Sequence, residues 1–182
     1  MMKALWFYLL VVTCIPSVAQ EYVSPLQPAA TGKAPGMKAK LVSTEGNCRT
    51  YVIVFATGDE VRSGLTDFAQ KNNIQSAHFS AIGDVSSARV GFYDYGKKMF
   101  KVIPIDEPGE VVSMSGDVAI ADGKPVVHTH VSVAVSDGTV KGGHLLSMIV
   151  GPTLEVFITL YPTALYKKTN PAFGASVIDP ER

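Results

Sequence analysis

The chain has no excess of charge of either sign, because its 182 residues include 16 lysines and arginines and 16 aspartates and glutamates. Proteins that bind nucleic acid chiefly by electrostatic attraction carry a strong basic excess, since neutralisation of phosphates dominates that affinity. The composition therefore argues against a protein of that kind. Apolar residues make up 47% of the chain, which excludes disorder as its main state.

Long apolar runs are also lacking. The longest such run, residues 4–15, follows Lys3 and is too short to span a bilayer. Ser17 and Ala19 supply the small residues that a secretory cleavage site needs. We expect residues 1–19 to be a signal peptide cleaved after Ala19, which leaves no transmembrane segment and places the mature protein in the periplasm or outside the cell.

Cysteine is scarce, since the chain has only Cys14 and Cys48. Loss of the signal peptide removes Cys14 and leaves Cys48 without a partner for an internal disulfide. Cys48 is then a buried apolar residue, the interpretation that its place beside a strand favours, or a free thiol. A lipoprotein attached through Cys14 is the less favoured alternative, because Thr13 is bulkier than the small residue usual at that position.

Composition divides the rest of the chain into three parts. Residues 20–40 are rich in Pro, Ala, Gly and Lys and show no periodicity, so they are predicted to be a linker. Residues 164–182 have a similar composition and are predicted to be a tail that drapes over the domain. The folded domain is expected to span residues 41–163.

Within that domain the pattern predicts one helix and about eight strands. The helix follows Gly58, with Asp59 as a candidate N-cap, and ends near Asn73. Turn residues such as Gly83-Asp84 and Gly151-Pro152 separate the strands, which are predicted at residues 49–57, 74–82, 85–95, 99–105, 110–121, 126–135, 139–146 and 154–161. The predicted fold is α+β, a mainly antiparallel sheet of seven or eight strands with one principal helix packed on it.

Three of the four histidines lie in one predicted hairpin. The two-residue period of a strand places His128 and His130 on one face, roughly 7 Å apart at the backbone. Thr129 and the valines of residues 127–135 form the opposite face, which is apolar enough to be core. The histidine face then points at a cavity, an interface or solvent.

His144 lies on the returning strand of the hairpin. A two-residue turn at Asp137-Gly138 would place it opposite Val131, on the wrong face. A β-bulge at Gly142-Gly143, a longer turn, or a histidine from a neighbouring subunit would bring a third imidazole to His128 and His130. The sequence does not choose between these arrangements.

Three neutral imidazoles at His128, His130 and His144 are typical ligands of a divalent metal ion, with zinc favoured, and they leave a coordination position open. Glu155, on the following strand, is the candidate catalytic residue, as a fourth ligand, an acceptor for an imidazole N–H, or a general base. A solvated role for Glu155 and a structural role for the histidines are the alternatives. His78 is predicted to be a hydrogen-bonded structural histidine.

Other catalytic patterns are lacking. No Gly-X-Ser-X-Gly elbow, Walker loop or dinucleotide fingerprint follows a predicted strand. Most aspartates, Asp117 among them, are attributed to turns. The sequence therefore leaves open whether the protein is an enzyme.

Several short motifs occur together in the predicted domain: Gly58-Asp59-Glu60 before a helix, Ser113-Met114-Ser115-Gly116, His128-Thr129-His130, and Gly142-Gly143-His144-Leu145. In order and spacing this set resembles the plants-and-prokaryotes conserved (PPC) domain family over roughly residues 49–161. The resemblance implies an α+β domain that assembles as a homotrimer. It also implies metal ligands at His128, His130 and His144, as in some bacterial and archaeal relatives.

The same family contains plant members in which AT-hook segments bind the DNA minor groove, and bacterial members described as DNA-binding. This chain has no Arg-Gly-Arg-Pro hook and carries a predicted export signal, so DNA is a disfavoured partner. The leading hypothesis is an exported trimeric domain that binds a divalent metal and has a metal-dependent or small-ligand-sensing role. The alternative is a DNA-binding or scaffold protein with structural histidines.

Overall fold

A computed structural model describes residues 19–172 and 174–182. The predicted signal peptide lies almost wholly outside the described residues. The described part contains one α-helix, α1 (Val61–Lys71), and ten strands. The strands are β1 (Tyr22–Val23), β2 (Lys38–Glu45), β3 (Cys48–Ala56), β4 (Ser76–Asp94), β5 (Met99–Ile105), β6 (Gly109–Ala121), β7 (Lys124–Val135), β8 (Val140–Leu160), β9 (Lys167–Asn170) and β10 (Ala175–Ile178).

Eight of these strands form one antiparallel sheet in the order β1-β5-β4-β6-β7-β8-β3-β2. An additional pairing of β4 with β8 closes β4, β6, β7 and β8 into a ring. The predicted α+β class, with a mainly antiparallel sheet and one principal helix, is confirmed. Strands β9 and β10 form a separate hairpin.

Two of the predicted turns are wrong, because β4 and β8 run continuously through them. Gly83-Asp84 lies inside β4, where the register with β6 and β8 shifts, and Gly151-Pro152 lies inside β8. A Cβ at Gly83 would lie 2.5 Å from the carbonyl oxygen of Thr153, so this glycine permits close contact between the two strands. Both glycines therefore belong to long strands that pair with different neighbours along their length.

The core lies inside the ring of strands and under the helix. The apolar face of α1 contributes Leu65 and Phe68, and the helix packs on β7 and β8. As predicted, alternate residues of β7 are buried, namely Thr129, Val131, Val133 and Val135. The intervening residues of β7, His128 and His130 among them, therefore face away from the core.

Glu60, rather than the predicted Asp59, caps α1. The Glu60 carboxylate accepts hydrogen bonds from the backbone N–H groups of Arg62 and Ser63 in the first turn. It also accepts one from Met148 N on β8 at 3.1 Å, which ties the start of the helix to the sheet. The Asp59 carboxylate instead accepts from Gly36 N and Ala56 N.

Parts of the segment predicted as a linker contact the domain. Strand β1 pairs with β5, and Gln20 donates a side-chain hydrogen bond to Val102 O at 2.8 Å. The helix residue Arg62 donates to Gln27 O. Within the described residues, no helix is both long and apolar enough to cross a bilayer.

Candidate metal centre

The three predicted histidines converge at the open end of the β7–β8 hairpin. One ring nitrogen of each of His128, His130 and His144 lies within 4.8 Å of the corresponding atoms of the other two. The ring centroids are 5.1 Å apart for His128 and His130, 5.2 Å for His128 and His144, and 5.6 Å for His130 and His144. All three imidazoles come from one chain.

A longer turn, one of the alternatives left open above, brings His144 to this site. Val135 N donates to Thr139 O and Gly138 N donates to Val135 O, so the loop contains three residues rather than two. Gly138 has a φ of +81°, as the last position of such a loop requires. The extra residue shifts the register by one and places His144 directly opposite His130.

The Gly142-Gly143 pair has a different role from the bulge considered above. The β7–β8 register is unbroken at these residues. A Cβ at Gly143 would lie 2.6 Å from Gly91 O, and its φ of +156° is one that glycine adopts readily. Gly143 therefore permits the close approach of β8 to β4 just before His144.

His144 is held in place and kept neutral. Its ring stacks on Phe100, with centroids 4.3 Å apart and planes inclined by 9°. Burial is the main cause that lowers the pKa of His144 to about 3, and the charges of His128, His130 and Arg62 lower it further. At neutral pH its nitrogen lone pair is therefore available to a metal ion.

Asp117 lies within β6 rather than in a turn, so the predicted turn role is wrong, and it orients His128. It lies opposite His128 in the β6–β7 register, and its Oδ2 is 3.2 Å from His128 Nδ1. A carboxylate on one imidazole nitrogen fixes the ring and leaves the other nitrogen, Nε2, to bind a metal. The β6–β7 turn at Asp122-Gly123 could have revealed this pairing, because a two-residue loop there places Asp117 opposite His128.

Lys167 supports Asp117 from the C-terminal tail. Its Nζ lies 2.8 Å from Asp117 Oδ1, and the lysine side chain is only 3% exposed. The contact is an ion pair without good hydrogen-bond geometry. Burial tends to raise the pKa of Asp117, but His128 and Lys167 together hold it below its usual value. Asp117 is therefore ionised at neutral pH and attracts both partners.

Replacement of Asp117 by asparagine should weaken zinc binding by about 10- to 100-fold, because the ring of His128 loses its anionic partner. A smaller loss is expected for K167M, which removes the cation behind Asp117. Competition with a chromophoric chelator measures both affinities.

The adjacent lysine provides a matched control for K167M. The side chain of Lys168 is 53% exposed and forms an ion pair with Asp179 rather than with Asp117. K168M should therefore leave zinc affinity unchanged. Equal effects of K167M and K168M, or an unchanged affinity in D117N, would show that this contact does not act on the metal centre.

Neither His78 nor Glu155 joins the group of three converging imidazoles. An open depression of about 310 Å³ is lined by His78, Ser115, Gly116, Asp117, His128 and His130. The side chain of His78 is exposed and makes no hydrogen bond within the described part of the chain, so its predicted hydrogen bond is not found. Glu155 is exposed on the half of β8 that pairs with β3, and it does not join the histidine group.

The histidine donors fit a divalent metal ion. Three imidazole nitrogens converge, one of the rings is half-buried and neutral, and another has a carboxylate on its second nitrogen. Three neutral nitrogen donors with a position left open are the usual set of a zinc centre that binds a further ligand. Cys48 is half-buried on β3 and is not in the group.

Comparison with solved structures gives close matches of fold. A protein described as plant- and prokaryote-conserved (PPC) from Pyrococcus horikoshii is 30% identical with a TM-score of 0.68, covering 75% of this chain and 97% of that chain. A metal-containing protein from Archaeoglobus fulgidus is 31% identical with a TM-score of 0.66, covering 79% and 97%. A proposed DNA-binding protein from Ralstonia eutropha JMP134 is 36% identical with a TM-score of 0.67, covering 71% and 90%.

Among curated proteins, the bifunctional protein GlmU of Synechococcus sp. (strain JA-3-3Ab) is 30% identical over 101 residues, or 55% of this chain. The chain spans only 15% of the length of that relative. The family model of the Plants and Prokaryotes Conserved (PCC) domain matches residues 42–162. These residues include the helix, β3 to β8 and all three converging histidines. The chain therefore belongs to the Plants and Prokaryotes Conserved domain family.

Proposed function

We propose that this domain binds a divalent metal ion, with zinc favoured, through His128, His130 and His144. The observation that carries the proposal is the convergence of three imidazole nitrogens within 4.8 Å of one another. The description of the Archaeoglobus fulgidus relative as metal-containing supports it. When bound by three neutral imidazoles, zinc acts as a Lewis acid and keeps a position for a further ligand.

The surrounding residues suit a metal centre that receives a small ligand from solvent. Asp117 fixes the ring of His128, and Phe100 fixes the ring of His144. Ser115 and His78 line the open depression beside His128 and His130, where they can donate or accept hydrogen bonds. The proposed role is a metal-dependent reaction or the sensing of a small ligand.

Elemental analysis of the purified protein tests this function. After equilibration with zinc and removal of the free ion, we expect about one zinc per chain. H78A provides the control, because His78 lies beside the site without joining the converging nitrogens, and it should retain the full content. A zinc content near zero in the natural chain would contradict the proposal.

We also propose that the protein is exported and forms a homotrimer. Cleavage after Ala19 would leave Gln20 as the first residue, and the contacts of Gln20 and β1 with β5 would remain intact. Exposed apolar side chains at Val54, Ile82 and Phe157 lie on adjacent strands of one sheet face and support an interface between copies. The mass of the exported chain tests the cleavage after Ala19, and sedimentation equilibrium tests the homotrimer.

DNA binding is the second candidate function, because the Ralstonia eutropha relative is described as a proposed DNA-binding protein. Equal numbers of basic and acidic residues do not favour it. Fluorescence anisotropy with an AT-rich duplex at two salt concentrations separates the two functions. Affinity that falls steeply with salt would indicate contacts to phosphates, whereas the metal-binding function predicts no such binding.

A further inference from the structure

A second cavity, of about 190 Å³, has His144 in its wall and shares no lining residue with the open depression. It has room for roughly six water molecules. The residues that line it include Glu21, Arg62, Arg89, Phe100, His144 and Ser147. Residues 21–27 form one wall, so the cavity is partly built by the segment that precedes the family domain.

Arg62 lies at the wall of this cavity and has unused hydrogen-bonding capacity. Its Nη2 donates to Gln27 O at 2.9 Å and its Nη1 to Leu146 O at 3.4 Å. A guanidinium has five N–H donors, so three remain. No carboxylate lies within ion-pair distance of Arg62 in residues 19–172 and 174–182, in contrast to Arg89, which pairs with Glu21.

The nearest acidic side chain in sequence does not neutralise Arg62 directly. The Glu60 carboxylate accepts three backbone N–H groups, those of Arg62, Ser63 and Met148. Burial lowers the pKa of Arg62, and the charge of Glu60 only partly offsets this effect. The half-buried guanidinium thus lies at a cavity wall with a positive charge that lacks a directly bonded anion.

The cavity adjoins the candidate metal centre, because His144 forms part of its wall while a ring nitrogen of His144 converges on His128 and His130. Phe100 stacks on His144 and lines the same cavity, so the ring cannot turn away without losing this contact. A molecule in the cavity would therefore contact Arg62 and a metal-binding imidazole at the same time.

We propose that this cavity binds a small oxyanion, a carboxylate or a phosphate, with the Arg62 guanidinium as its anchor. The planar fork of a guanidinium matches the two oxygens of a carboxylate or phosphate group. Because the anion would lie against His144, one of the three proposed metal ligands, this inference rests on the proposed function. Residues 21–27 cover the anion and restrict its size to that of a small metabolite.

Calorimetry with the zinc-loaded protein tests the proposal, using malonate and inorganic phosphate as separate probes. At least one of the two should bind, and the stronger one identifies the anion class. R62M should bind the stronger probe at least about tenfold more weakly, because the guanidinium provides charge-assisted hydrogen bonds. R49M is the matched control, since Arg49 is an exposed residue of β3 outside the cavity lining, and its affinity should be unchanged.

The zinc content of R62M shows whether the variant has folded around an intact metal centre. A full zinc content with equal anion affinity in R62M and the natural chain would overturn the anion site. Absence of binding of either probe at roughly 10 mM would overturn it as well. If the natural chain binds no zinc, the metal function fails on its own, and the same titration of the metal-free protein still tests Arg62.

Discussion

The H144F variant is expected to bind zinc at least about 100-fold more weakly than the natural chain. A zinc centre built from three protein ligands loses a substantial part of its binding free energy when one ligand is removed. Even residues that only orient a ligand contribute about 10- to 100-fold to the metal affinity. His144 is also half-buried, and its ring is fixed by stacking on Phe100. Chelator competition measures the loss.

Phenylalanine is chosen because His144 stacks on Phe100 at 4.3 Å. An aromatic ring at this position preserves the stacked pair and the packing between β5 and β8, so that the variant loses a nitrogen donor rather than its fold. The unfolding midpoint of metal-free H144F should therefore remain near that of the metal-free natural chain. Undiminished zinc affinity in H144F would place the metal elsewhere.

The sequence predicts that His128 and His130 share one strand face, because period-two alternation assigns them to it irrespective of tertiary structure. It does not predict how His144 joins them. Asp137-Gly138 is compatible with a two-residue turn and with the last positions of a three-residue loop, since both place glycine at positive φ. In the structure Asp137 Oδ1 accepts hydrogen bonds from Thr139 N and Thr139 Oγ1 across the longer loop.

Long strands are the main feature of the fold that local patterns do not predict. Gly83-Asp84 and Gly151-Pro152 are strong turn signals by composition, yet β4 and β8 continue through them. Both strands change partners along their length, with β4 pairing to β5, β6 and β8. A residue pattern confined to one segment carries no information about which neighbours a strand acquires from distant parts of the chain.

The environment of the three converging histidines depends even more on distant segments. Lys167 comes from a region whose composition indicates only a tail, and Gln27 comes from one predicted as a linker. Neither region has an apolar period, because each contributes single polar contacts rather than a buried face. The residue pattern therefore predicts the histidine group but not the ion pair between Lys167 and Asp117 that supports it.

The largest change in stability is expected for E60A. Its carboxylate, in a side chain buried to 8% exposure, accepts hydrogen bonds from Ser63 N, Arg62 N and Met148 N. Removal of a helix N-cap costs about 1 kcal/mol, and each buried N–H left without an acceptor costs about 1–3 kcal/mol. We expect the free energy of unfolding to fall by about 3–5 kcal/mol, measured by urea denaturation with a chelator present so that zinc does not contribute.

Two further variants separate the role of these hydrogen bonds from a general effect of losing a glutamate. E60Q keeps one acceptor oxygen but directs an amide N–H₂ at backbone donors, so its loss should lie between those of E60A and the natural chain. E45A removes an exposed glutamate from the end of β2 and should change stability by no more than about 0.5 kcal/mol. Glu60 joins the first turn of α1 to Met148, four residues after His144 on β8. A loss in E60A as small as that in E45A would mean that the helix is held to this strand by apolar packing alone.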